Sequence, residues 1–145
     1  MKAKEYLQQL QWLDTIINQK IKEVSDLRLK SQSIKTINYS KKRVQTSPSR
    51  DAPFVKLIGR IVDLETEINA EIDVFVDEKH KIINQIQKLG NADYISLLFK
   101  RYVEYKNLKQ IAIEMNFSYN YIKRLHGYAL RDFKNKILNS TPNNT

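Results

Sequence analysis

Within six positions near its C-terminal end the chain carries Tyr119, Asn120, Lys123 and Arg124. Their chemistry is recognition, not bond breaking. An Asn amide donates and accepts at once and can pair bidentately with adenine, while Lys and Arg donors match the acceptors of guanine. These four are the candidate base-edge contacts. Around them Asn107, Lys109, Ser118, Tyr128, Arg131 and Lys134 offer amide, hydroxyl and cationic donors suited to phosphate oxygens, and Lys136 adds a further positive charge.

Such residues work together only if an element holds them on one exposed edge. Leu108, Ile111, Ala112 and Met115 recur at the spacing of one face of a short helix, and Ile122, Leu125, Ala129 and Phe133 at that of a longer one. Asn116, Phe117 and Ser118 lie between them. Asn is the commonest non-glycine choice for a left-handed turn residue, and Ser is a good N-cap. Asn107 precedes the first helix with Gln110 three residues on, close to a capping box. The spacing predicts a helix-turn-helix whose second helix points its first turns at the major groove of a duplex. A three-helix bundle with a merely solvated polar face satisfies the same spacing.

Upstream, Tyr94, Leu97, Leu98, Arg101, Tyr102 and Tyr105 predict an amphipathic helix from the cap Asn91 to about Tyr105. Before it, Phe54, Ile58, Ile61, Glu65, Ile68, Ile72, Phe75, Lys79, Ile82, Ile86 and Leu89 alternate steps of four and three, and nine of these eleven are apolar. A 3.5-residue repeat of that length predicts a coiled-coil seam on a helix of roughly 50–55 Å. The apolar members are the expected oligomerisation surface: Phe54, Ile58, Ile61, Ile68, Ile72, Phe75, Ile82 and Ile86. Pro53 suits the first turn, and Gly90 suits the residue after the last. An earlier helix is predicted over about 4–30 from Tyr6, Leu10, Leu13, Ile17, Ile21, Val24 and Leu27, with Trp12 packed on the helical pair. Pairing of these two helices within one chain or between chains stays open. Residues 31–50 are rich in Ser and Thr, and 28–50 hold seven basic residues and no acid, the composition of a basic linker.

Other chemistry finds little support. The two histidines, His80 and His126, lie in different segments, and there is no cysteine. His126 reads as a surface or interhelical hydrogen-bonding residue. No His/Asp/Glu cluster has metal-ligand spacing, and Gly59, Gly90 and Gly127 form no phosphate-cradling loop. Gly127 falls inside a helix, where it costs about 1 kcal/mol relative to Ala; it reads either as a point of close approach or as a tolerated exposed glycine. Tyr121 reads as the margin of the small core. The chain is expected to be a non-enzyme with no cofactor and no metal.

Charge is uneven. Residues 1–50 hold 11 Lys/Arg against 4 acids (+7), residues 51–90 hold 5 against 8 (−3), and residues 91–145 hold 9 against 4 (+5), within a net charge of +9. A polyanion would meet the two ends and not the middle. No apolar run approaches the ~18 residues of a membrane span, and the opening "MKAKEYLQQLQ" lacks a signal-peptide stretch. A cytoplasmic protein with no membrane partner is expected.

The run "RYVEYKNLKQIAIEMNFSYNYIKRLHGYALRDF" resembles the ArpU/RinA-type phage late-transcription regulators, and its pattern around Ile111-Ala112, Met115, Ser118, Ile122 and Leu125 is similar to region 4 of bacterial sigma factors. The layout of the first ~90 residues agrees with that family. The resemblance implies activation of late genes, with RNA polymerase as a second candidate partner. The base-contacting positions of sigma region 4 fall on Tyr119, Asn120, Lys123 and Arg124, although the side chains differ.

The expected architecture is therefore all-α: a long helical hairpin or coiled coil over 1–90, a helix-turn-helix domain over 91–138 and a disordered tail over 139–145. Sequence-specific binding of double-stranded DNA by a homo-oligomer is the expected function. A DNA-packaging recognition subunit of the small-terminase kind, which also joins a helix-turn-helix to oligomerising helices, and a helical protein-interaction adaptor are the alternatives.

Overall fold

The computed structural model describes residues 2–40 and 52–140. Among them the chain is all-α, as few glycines and prolines and long helical periodicities require. Helix α1 spans Ala3–Ser40, α2 Ala52–Gln87, α3 Ala92–Leu98, α4 Leu108–Met115 and α5 Tyr119–Phe133; π-helical turns over Phe99–Val103 and Lys134–Leu138 extend α3 and α5. No described helix is long and apolar enough to cross a membrane.

Two compact units divide the chain, one of residues 14–74 and one of residues 1–13 with 75–145. The boundary expected near residue 90 therefore lies elsewhere. The physical reason is shared burial: Leu7 and Leu10 of α1 and Ile82, Ile86 and Leu89 lie in one core with Leu98, Tyr102, Ala129 and Phe133.

In the first unit α1 and α2 run antiparallel. Val24, Ile61, Leu64 and Ile68 form the core, flanked by Leu27. Ion pairs line its edges: Lys20 holds Glu71 and, at 3.4 Å, Glu67, while Arg28 holds Glu65. The Glu71 contact, with the Glu67 contact behind it, raises the Lys20 ammonium above its ordinary range. Two rows on α2 share Ile61 and Ile68, and the packing selects the one through Leu57 and Leu64. Ile58 and Ile72, expected in the seam, stay exposed at 38% and 36%. Helix α1 also outruns its expected end: it continues to Ser40, so 31–40 are helical and not linker. The rest of the expected linker, like the expected tail from Thr141 on, lies outside the described residues.

In the second unit Phe133, Leu7, Leu10, Ile82, Ile86, Leu89 and Leu98 have almost no exposed surface, each such burial contributing roughly 1.5–3 kcal/mol. The Tyr6 hydroxyl donates to Gln85 Oε1 at 2.6 Å, and the Tyr6 and Phe133 rings meet at 5.9 Å. Trp12, expected to pack, is instead 64% exposed. Gly90 (φ +76°) follows α2 in the left-handed region, and the Asn91 side chain accepts from the Asp93 and Tyr94 N–H groups to start α3. The expected continuous helix to Tyr105 changes pitch at Phe99. The π turn buries the adjacent residues Tyr102 and Val103, and Tyr105 (φ +62°) ends it.

Candidate nucleic-acid interface

Helices α3, α4 and α5 share a small core of Leu97, Ile111, Ala112, Ile122 and Leu125, with Leu108, Met115 and Phe117 packed on it. Every inward residue read from periodicity in 108–133 is buried or partly buried. The joint also forms as its residues suggest. Asn107 accepts from the Gln110 N–H at 2.8 Å and caps α4. Asn116 adopts φ 61°, ψ 39°. Its N–H reaches Ile113 O (3.3 Å), and the Phe117 N–H reaches Ala112 O (3.0 Å). This is the Schellman pattern, in which a left-handed residue lets two orphan carbonyls be satisfied. Ser118 then turns to extended backbone, and its Oγ accepts from the Tyr121 N–H at 3.1 Å, launching α5.

That launch fixes what faces outward. Ser118, Tyr119, Asn120, Lys123, Arg124, Gly127, Tyr128, Arg131 and Lys134 are all exposed. Asn120, Arg124, Gly127, Arg131 and Lys134 succeed one another at steps of four and three, which is one straight row along α5. The other expected contacts flank this row: Tyr119 and Lys123 on one side, Tyr128 on the other. Lys109, from α4, and Lys123 both lie over the Tyr119 ring, at 5.7 and 4.5 Å from its centroid. Tyr119 thus gathers two cations at the start of α5. Tyr121 is 38% exposed, its ring 4.8 Å from that of Phe117.

Between Lys100 and Lys136 the lysines fall into two sets, those held by acids of the chain and those that are not. Lys106 binds Glu114 at 2.6 Å and Glu104 at 3.1 Å, and Lys100 lies 3.8 Å from Glu114. These contacts, Glu114 foremost, hold the Lys106 ammonium above its ordinary range and, through Lys106 foremost, the Glu114 carboxyl below its own. Lys136, expected among the phosphate contacts, instead donates to Leu89 O at 2.9 Å and pairs with Asp132 at 3.3 Å. Among the described residues Lys109, Lys123, Arg124, Arg131 and Lys134 take part in no ion pair. Asn107 caps through its side-chain oxygen, as Ser118 does, and its amide NH2 takes no part in that bond.

Behind the face, His126 Nε2 and the Tyr102 hydroxyl meet at 2.7 Å, an interhelical bond between α5 and the π turn. Burial, helped by Arg101 and Lys4, pushes His126 down to about 4, and burial pushes Tyr102 up to about 12. The imidazole is therefore neutral, and its Nε2 shares with the phenol one hydrogen bond, its direction set by the tautomer, that ties α5 to the π turn. Around Gly127 a Cβ would meet nothing within 4 Å, so no neighbouring helix requires that glycine. No group of three His, Cys, Asp or Glu able to hold a metal occurs among the described residues. Compared with protein-family models, with curated proteins and with solved structures, the chain matches none.

Proposed function

We propose that this chain is a sequence-specific binder of double-stranded DNA that acts as a transcriptional regulator, with α4 and α5 as its helix-turn-helix. One observation carries the reading. On α4 and α5 the cations of one face are left unpaired and exposed, beside an amide able to read a base, while Lys100, Lys106 and Lys136 are tied to acids of the chain itself. A polyanion supplies the missing counter-charge. In this arrangement Asn120, Lys123 and Arg124 enter the major groove, while Lys109, Ser118 and Tyr128 meet the flanking phosphates. Tyr119 positions the two lysines. The resemblance of "RLHGYAL" to the phage late-transcription regulators supports regulation at a promoter, with RNA polymerase as the second partner, in the cytoplasm of a bacterial host.

The protein acts on this reading as a homo-oligomer. Val55, Ile58, Val62, Glu65, Asn69 and Ile72 form a third heptad row on α2, and Val55 and Val62 are 64% and 53% exposed. Set against the same row of an antiparallel second copy, Val62 faces Ile72 and Glu65 faces Asn69, so apolar meets apolar and a carboxylate meets an amide donor. A parallel copy would set Glu65 against Glu65, a repulsive layer. Ile61, Ile68, Ile82 and Ile86, buried within the chain, leave the expected oligomerisation surface.

The test is a binding titration with a random duplex pool, followed by sequencing of the bound fraction. Salt-dependent binding with enrichment of one motif is expected. An unbound chain at low salt overturns the reading.

A further inference from the structure

The sequence places its phosphate contacts on residues 107–134, yet the fold brings a second group to the end of the same face. A cleft of about 370 Å³ is lined by Lys2, Ala3 and Lys4 at the start of α1 and by Leu130, Arg131 and Lys134 at the end of α5. Ala3 is buried and Leu130 half-buried, so the floor is apolar and four cations form the rim. Among the described residues none of the four is in an ion pair, and Asp132, the acid of α5, is held by Lys136. The charge of Lys4 is close enough to act on His126. Nothing in the fold of this unit needs four like charges around one cleft, and their mutual repulsion is a cost that an anion would relieve.

The geometry of α5 says which anion. Helix α5 has 15 residues, about 22 Å at 1.5 Å per residue. The major groove is about 12 Å wide. If the first turns of α5 enter the groove with the axis set across it, the far end passes over a sugar-phosphate strand. Arg131 and Lys134 continue the row of Asn120 and Arg124 to that far end, where Lys2 and Lys4 join them.

We propose that the cleft of Lys2, Lys4, Arg131 and Lys134 is a phosphodiester clamp that grips the strand flanking the groove read by α5. This rests on the DNA-binding reading above. The clamp fixes how far along the duplex α5 sits, and it carries no base information of its own. It also gives the first residues of the chain a part in DNA binding, beside their part in the core through Leu7 and Leu10.

The experiment uses the full chain and its Lys2→Ala/Lys4→Ala variant, with affinity measured against salt on a selected site and on random duplex. Both lysines are exposed, so circular dichroism should show an unaltered fold. Each phosphate contact contributes about 0.9 to the slope of log affinity against log salt. The slope of the variant should therefore be shallower by about two, roughly 0.9 per lysine, with its ratio of specific to random affinity unchanged. A wild-type slope retained in the variant overturns the clamp alone, and so does a loss confined to the selected site. A wild-type chain that binds no duplex overturns both the clamp and the reading beneath it.

Discussion

Acidification should loosen the α5 face through His126, and the size of the effect follows from its surroundings. The imidazole is half-buried, shares a hydrogen bond with the Tyr102 hydroxyl at 2.7 Å and faces the positive charges of Arg101 and Lys4. Its folded value of about 4 lies below the ordinary 6.5. Between these two values the unfolded chain binds a proton that the folded chain refuses, so stability rises with pH across that window and is lost as pH falls through it. For a fully shielded group, a tenfold weaker hold on the proton in the folded chain corresponds to about 1.4 kcal/mol. The ring keeps part of its surface in water, and screening reduces the whole effect to roughly 1–2 kcal/mol. The perturbation is His126→Gln, which keeps a hydrogen-bond partner for the Tyr102 hydroxyl but cannot titrate. Urea unfolding followed by circular dichroism on both chains, from neutral pH to just above pH 4, measures the difference and subtracts the carboxylates common to both. The natural chain should lose roughly 1–2 kcal/mol more than the variant over this range. Parallel losses, or a steeper loss in the variant, would refute the neutral buried imidazole.

Three further outcomes follow from the same geometry. Gly127→Ala places a methyl in open space on an exposed helical turn and should stabilise by about 1 kcal/mol, a rise in Tm of roughly 2–4 °C; a fall would show that the position is crowded. Ser118→Ala removes the acceptor of the Tyr121 N–H and should cost about 1 kcal/mol in urea unfolding, whereas an unchanged midpoint would deny the cap its role. The chain has no cysteine, so oxidising a mixture of Val62→Cys and Ile72→Cys chains should yield a disulfide-linked dimer that neither forms alone; a dimer from either one alone would mean parallel pairing, and none from the mixture would exclude the second copy from this row.

The elements of the C-terminal half were legible because their signals are local. Asn91, Asn107 and Ser118 cap helices, and Asn116 takes a left-handed turn, by interactions within a few residues of each. The π turn at Phe99–Val103 was not legible, since it answers to burial of both Tyr102 and Val103 in a core built partly by Leu7 and Leu10 from the other end of the chain. On α2 two heptad rows share Ile61 and Ile68, and periodicity does not say which of them α1 covers, so the expected row is not the one buried. Lys2 and Lys4 carried no signal toward Arg131, more than 120 positions away. Nor does the sequence around Lys136 show that the fold sets Leu89 O and Asp132 beside it.

The most direct measurement compares Arg124→Ala with the natural chain on the duplex selected from the random pool and on unselected duplex. If the outer row of α5 reads bases, the variant loses roughly 1–3 kcal/mol on the selected site, about 5- to 150-fold in affinity, and much less on unselected DNA. Equal losses on the two would mean that Arg124 meets only the backbone, and the account of α5 as the reading element would fall.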